Sequence, residues 1–237
     1  MTHVNSPDLR FEAPLYTLAE AARFLGVPTS TFGTWAKGYV RHPPGRAPVR
    51  GKRIVTSVEA PHNFPTIPFI GLAEGMVLAA FRHGGVSMQH IRKAVSVLDG
   101  EIGLDYALAS KRLYTDGAVI LFDYADAEQD AELAGLTEVV SRQRVFAPVV
   151  EEYLTRIEYG GDGWAKRLVS PATRDRIVVV DPGRAFGQPL FARGAAPVES
   201  VVSRWKAGEP LADVARDFGV PPADVEDYLR AAVPLAA

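Results

Sequence analysis

A small residue, a glycine four positions on and an apolar residue six beyond that recur near both ends of this chain. Ala22, Gly26 and Phe32 form the first set; Ala215, Gly219 and Val225 form the second. Alanine lets two helices cross closely, glycine supplies the left-handed turn between them, and the apolar residue pins the second helix onto the first. The spacing therefore predicts two helix-turn-helix units and a regulatory protein. The alternative for each copy is a plain helical hairpin inside a core.

Charge separates the two copies. The first second-helix, Thr29-Ser30-Thr31-Phe32-Gly33-Thr34-Trp35-Ala36-Lys37, carries hydroxyl donors, one lysine and no acid, and Arg41, Arg46, Arg50, Lys52 and Arg53 follow it. Residues 1–70 hold eight Lys/Arg against four Asp/Glu, whereas residues 199–230 hold seven acids against four bases. Nucleic acid is a dense line of negative charge whose affinity rests largely on cationic contacts. DNA is thus assigned to the first copy: Thr29, Ser30, Thr31, Thr34 and Lys37 face the groove, with Arg50, Lys52 and Arg53 on phosphates. The second copy is expected not to bind DNA. Asp224, Glu226 and Asp227 would sit on or beside its groove face, and Pro221-Pro222 leaves no backbone N–H there for a phosphate.

Helix and strand signals fill in the rest. Thr17 and Glu20 form a capping box for the first helix; Thr29 is placed to cap the second, and Gly38 stops it. His42-Pro43-Pro44-Gly45 cannot be regular structure. Val49 to Val55 reads as two short strands around a basic glycine turn, the wing of a winged helix. Helices are predicted over Gly71–Arg82 and, capped by Ser87, over Met88–Leu98. Arg112–Tyr114 and Val119–Phe122 around Asp116-Gly117 suggest a hairpin. Residues 123–138 are acidic, and Phe146, Val149, Val150, Tyr153 and Ile157 suggest an amphipathic helix. Strands are expected at Trp164–Val169 and Ile177–Val180, with Phe191–Arg193 extended. Helices follow near Pro197–Ala207, Leu211–Phe218 and Pro222–Val233. The predicted class is mainly α with small β hairpins: a winged helix-turn-helix over residues 1–100, a mixed middle over 101–169, and a strand plus three-helix unit over 170–237.

Chemistry is poorly represented. With no cysteine among 237 residues, disulfides, thiol catalysis and cysteine-type zinc fingers are excluded. His83 and His90 lie seven apart across a glycine turn and lack metal-pair spacing. Gly160-Gly161-Asp162-Gly163 lacks the Lys-Ser/Thr of a phosphate loop, and Asp123 and Asp126 lack a second acidic pair on an apolar strand. No enzyme activity, metal or cofactor is expected. No apolar run approaches the ~18 residues of a membrane span and no signal peptide is evident, so a cytoplasmic location is expected.

Two stretches carry family resemblances. Arg176-Ile177-Val178-Val179-Val180-Asp181-Pro182-Gly183, Phe186-Gly187-Gln188-Pro189, Pro197-Val198 and Lys206-Ala207-Gly208-Glu209-Pro210-Leu211 together resemble a bacterial domain of unknown function often found in antitoxins. The family's basic turn reads Phe191-Ala192-Arg193-Gly194-Ala195-Ala196 here, one arginine fewer. Tyr16–Ala22 and Gly85–Ala94 are similar to MerR-type winged helices. The combination resembles a large VapB-class antitoxin. That resemblance implies a partner toxin, usually a PIN-domain ribonuclease, and repression of the operon by binding operator DNA. A stand-alone MerR-like regulator with a small ligand in its middle segment, and a helix-turn-helix interaction scaffold, are the alternatives. Val201, Val202, Trp205, Leu211, Val214 and Phe218 supply more apolar surface than a small three-helix unit easily buries. They are expected at a contact with a second copy or another partner, and the protein is expected to be a homodimer.

Overall fold

Thr17 starts the first helix because its hydroxyl accepts the Glu20 amide while the Glu20 carboxylate accepts the Thr17 amide, at 3.2 and 2.8 Å. This reciprocal pair satisfies two of the amides that a helix start leaves open. Helix α1 (Leu18–Leu25) ends at Gly26, whose φ of 69° closes the turn into α2 (Thr29–Lys37). Pro28, not Thr29, occupies the cap of α2; Thr29 is already its first helical residue. Gly38 stops α2 at φ 74°.

The computed structural model describes residues 8–89 except 43, 46, 62 and 63, then 91, 92, 95, 106–111, 152–173 and 175–232. The hairpin predicted between 112 and 122, the acidic stretch 123–138 and residues 146–150 of the suggested amphipathic helix lie outside them.

After α2 the chain forms a two-stranded antiparallel ribbon, β1 (Tyr39–Arg41) with β2 (Val49–Gly51), in which Val40 faces Arg50. The predicted wing is thereby displaced. The arms that pair are 39–41 and 49–51, and Lys52 to Val55 are not a second arm. The reason is a competing partner: the Trp35 carbonyl accepts the Ile54 and Val55 amides at 2.8 and 3.2 Å, drawing that segment back along α2.

The centre of the fold is α3 (Phe69–His83), buried at every position from Phe69 to Phe81. An all-round apolar helix must be enclosed on all sides. Gly75 marks where the helix-turn-helix seats on it: a Cβ there would meet the Phe32 ring at 2.6 Å and Leu25 at 2.9 Å. Glu74 is buried on the same helix, and its carboxylate accepts the Thr56 amide at 2.6 Å. Residues 88, 89, 91, 92 and 95 are helical, with Ile91 and Val95 buried.

A four-stranded antiparallel meander covers the other side: β3 (Ile157–Tyr159), β4 (Ala165–Val169), β5 (Val178–Val180) and β6 (Leu190–Phe191), paired in that order. Ile157 opens β3 instead of closing a helix. Strands on both sides of position 169 share this sheet, through Leu168 opposite Val180 and Val169 opposite Val179. Alternate residues take opposite faces. Leu168, Val178, Val180 and Phe191 enter the main core, while Val169, Val179 and Leu190 form a small cluster on the reverse side.

Helices α4 (Val198–Lys206), α5 (Leu211–Phe218) and α6 (Pro222–Ala232) complete the chain. Gly219, at φ 65°, is the second left-handed helix-turn-helix glycine. One continuous core runs from Tyr16 to Val225. Hydrogen bonds from Ser170 to the Phe24 carbonyl (2.6 Å) and from Tyr16 to the Gly187 carbonyl (2.8 Å) tie the sheet to the first helix-turn-helix. The protein is thus mostly helical with small β elements and an N-terminal helix-turn-helix. No helix among the described residues is long and apolar enough to cross a membrane.

Candidate nucleic-acid interface

Helix α2 turns Phe32, Trp35 and Ala36 into the core. This leaves Thr29, Ser30 and Lys37 exposed and Thr31 and Thr34 half-buried. The Thr34 hydroxyl donates to the Thr31 carbonyl at 2.8 Å. Its proton is spent within the helix, and its oxygen remains available only as an acceptor. Thr29, Gly33 and Lys37 follow one another at intervals of four and so form one stripe along the helix.

Gly33 is the unexpected member of that stripe. A Cβ there would meet nothing within 4 Å, and its backbone is not left-handed. Glycine inside a helix costs about 0.5–1 kcal/mol against alanine, and no intramolecular contact compensates. The glycine was visible in the sequence as an odd mid-helix choice, but only the surroundings show that the fold does not require it.

Beside α2 stands a group of cations without acidic partners. Among the described residues no carboxylate pairs with Lys37, Arg41, Arg50, Lys52 or Arg53. Arg50 projects from β2 into solvent and Lys52 is exposed just after it. Arg53 donates to the Ser57 carbonyl at 3.3 Å, and Arg41 lies 4.9 Å from the centre of the Tyr39 ring. The five predicted α2 residues and the three basic residues therefore flank one another, although Lys52 and Arg53 follow the ribbon instead of forming its tip.

Arg92, which the sequence reading passed over, connects these parts. Its guanidinium donates to the Thr34 carbonyl of α2 at 3.2 Å and to the Lys52 carbonyl, and lies 5.2 Å over the Tyr39 ring. One planar group thus ties helix, ribbon and the segment after it into a fixed relation. Burial pulls its pKa down, opposed by the Tyr39 oxygen.

The second helix-turn-helix differs at each of these points. Its exposed arginines are held by its own acids: Arg204 by Glu209 and Asp217, Arg216 by Asp213, and Arg230 by Glu226 and Asp227. Asp224 does not face a groove as expected. It is buried and makes a two-pronged pair with Arg193, from the turn after β6. That turn approaches the helix-turn-helix so closely that a Cβ at Gly194 would meet the Gly219 carbonyl at 2.6 Å. Of the six apolar contact residues, Val201 and Val214 are sealed in the core; Val202, Trp205, Leu211 and Phe218 are half-buried.

Nothing in the described part assembles a metal site: no three His, Asp or Glu side chains there are grouped to hold an ion. His83 Nδ1 donates to the Ala79 carbonyl at 2.8 Å, and its ring lies tilted against Tyr153, 5.1 Å between ring centres.

Residues 14–95 match a family described as a putative DNA-binding HTH domain, and residues 178–231 match DUF433, a family of proteins of unknown function. The putative antitoxin VapB45 of Mycobacterium tuberculosis (strain ATCC 25618 / H37Rv) is 41% identical over 230 residues, spanning 94% of this chain and 96% of its own length. The uncharacterized protein Rv2308 of the same strain is 24% identical over 223 residues, spanning 91% and 88%. The crystal structure of Rv2018 from Mycobacterium tuberculosis matches with a TM-score of 0.71 at 35% identity, over 93% of this chain and 99% of that one.

Proposed function

The chain belongs to the family of VapB45, and on that premise we propose that it is the antitoxin of a type II toxin–antitoxin pair. It binds and neutralises a PIN-domain ribonuclease toxin and represses its own operon through the N-terminal helix-turn-helix. The observation that carries the DNA-binding half is the exposed face of α2. It combines hydroxyls at Thr29 and Ser30, a glycine at position 33 that no described neighbour demands, and Lys37, flanked by cations that no acid among the described residues neutralises. A glycine in the middle of that stripe lets the helix lie close against a groove wall, and cations that meet phosphate release the counterions condensed on the nucleic acid.

The ribbon acts as the wing, with Arg50, Lys52 and Arg53 on the phosphate backbone. The C-terminal helix-turn-helix does not read DNA, because its arginines are already paired and its net charge is negative. The half-buried Val202, Trp205, Leu211 and Phe218 favour a protein contact there, either between copies in a homodimer or with the toxin. The protein does no chemistry of its own.

Two measurements test the reading. The product of the adjacent gene, co-expressed, copurifies with this protein and loses ribonuclease activity in the complex. Operator affinity falls steeply with salt, and Arg50, Lys52 and Arg53 changed together to alanine flatten the log–log slope by about three units at roughly one per phosphate contact. A triple variant that binds its operator like the parent refutes the wing.

A further inference from the structure

Helix α2 has little means of telling one base from another. From Thr29 to Lys37 it carries no Arg, Asn, Gln, Asp or Glu, the side chains that pair with the major-groove edges of purines and cytosine. The residues of its first turns, which meet base edges when a recognition helix docks, include Thr29, Ser30, Thr31 and Gly33. A hydroxyl both donates and accepts, so it distinguishes bases poorly, and Thr34 has spent its proton on the Thr31 carbonyl. Lys37, of a type that pairs with guanine, stands in the last turn. Such a helix approaches a groove closely and meets thymine methyls. The discrimination of a specific site, roughly a thousandfold or more over other DNA, requires a second reader.

The ribbon beside α2 has the make-up of that reader. Residues directly opposite in an antiparallel pair share a face. Tyr39 faces Gly51 and Arg41 faces Val49 on one side; Val40 faces Arg50 on the other. The first side is turned to the body of the protein at Tyr39. Its ring covers Gly51, where a Cβ would run into it. The Arg92 guanidinium, bonded to α2 through the Thr34 carbonyl, lies 5.2 Å from the centre of that ring. The second side is open: Val40 is 53% exposed, and Arg50 is exposed opposite it. No carboxylate among the described residues pairs with Arg50.

Charge and shape select the same partner. With α2 in the major groove, a ribbon tied to it by Arg92 lies over the adjoining backbone, and the next feature across that backbone is the minor groove. Where A·T tracts narrow this groove, its negative potential rises and attracts arginine. A guanidinium is more weakly hydrated than an ammonium and so sheds water more readily, and the short apolar Val40 suits the sugar walls. We propose that the open face of the ribbon, Val40 with Arg50, selects DNA by the width of an A·T-rich minor groove. Operator preference is then read largely from shape by the ribbon, and in smaller part from base edges by α2. Arg50 stays on the backbone, between the phosphates of the two strands. The inference rests on the DNA-binding reading above.

The test uses the full chain and duplexes that it enriches from a random-sequence library. Hydroxyl-radical footprints compare the parent with Arg50→Ala, an exposed substitution that leaves melting unchanged. A run of A·T pairs is protected by the parent and cleaved with the variant. At those pairs adenine is then replaced by diaminopurine, which adds an amino group to the minor groove and leaves the major-groove edge alone. In a second duplex A·T is replaced by inosine·cytosine, which changes the major-groove edge and adds no amino group to the minor groove. Diaminopurine lowers the parent's affinity by about tenfold or more, and inosine leaves it within about twofold. Arg50→Ala binds the natural and diaminopurine duplexes within about twofold of each other, whereas Lys37→Ala weakens both by the same factor. A loss with inosine as large as with diaminopurine, tolerance of diaminopurine, undiminished discrimination by Arg50→Ala, or the absence of a protected A·T run each overturns the proposal and leaves DNA binding standing. So does a parent that binds DNA but enriches no sequence. If the parent binds no duplex at all, the DNA-binding reading falls and the proposal falls with it.

Discussion

Gly33→Ala separates what the fold needs from what a ligand needs. Inside a nine-residue helix with no steric neighbour within 4 Å of the new Cβ, the substitution acts through propensity alone. Alanine is favoured over glycine by about 1 kcal/mol in a helix interior. With an m-value of about 2–3 kcal/mol/M in urea, the unfolding midpoint rises by roughly 0.3–0.5 M. Operator binding moves the other way. The methyl stands on the stripe between Thr29 and Lys37, where the helix must approach its groove. An intruding methylene-sized group in a packed contact costs about 1–3 kcal/mol, or roughly 5- to 150-fold in affinity. Urea denaturation and fluorescence anisotropy with labelled operator read the two effects on one preparation. A stability gain with unchanged operator affinity refutes α2 as the reading element. No stability gain refutes the claim that nothing in the fold requires this glycine.

Four further outcomes follow from the same contacts. Gly75→Ala pushes a methyl against Phe32 and Leu25, both fully buried, and lowers thermal stability by about 1–3 kcal/mol less the ~1 kcal/mol of helix propensity regained; calorimetry checks it. Arg92→Met keeps the apolar stem but removes the tie between Thr34 and Lys52; the ratio of operator to nonspecific affinity in anisotropy narrows while far-ultraviolet circular dichroism is unchanged. Asp224→Ala frees Arg193, whose side chain is 65% exposed, so the charge is rehydrated and the loss in urea unfolding is about 1–2 kcal/mol, below the 3–5 of a stranded buried charge, with operator binding intact. Asp8 and Asp162 are held below the usual carboxylate range chiefly by hydrogen bonds from Arg10. Their contribution is complete above the unfolded carboxylate pKa and lost as pH falls through the lowered folded values. An Arg10→Met variant is therefore less stable than the parent near neutral pH, and the gap closes under acid in pH-dependent melting curves.

The parts of this fold that are read from short range were legible. Thr17 and Glu20, Gly26, Gly38 and Gly219 announce helix ends through contacts within four or five residues, and each sits where its local chemistry places it. Likewise the excess of cations after α2 and of acids after position 199 is a matter of composition. Register was less legible. Val49–Val55 and the pairing of 39–41 with 49–51 are equally plausible from β-propensity and turn residues; the Trp35 carbonyl, reached by Ile54 and Val55, decides between them. Burial reversed the role of Asp224, because its partner Arg193 lies 31 positions away. Val201 and Val214 read as contact surface until the core enclosed them.

By itself, then, the sequence determined two helix-turn-helix units, their opposite charge, and the absence of thiol chemistry, since those depend on neighbours along the chain and on totals over it. Tertiary structure alone decided which cations meet no carboxylate among the described residues, that Gly33 answers to no described neighbour, that Arg92 links helix to ribbon, and that Phe186 stands exposed on a strained turn. Each of these is a statement about what lies within a few ångströms, and the residues that meet there come from distant points in the chain.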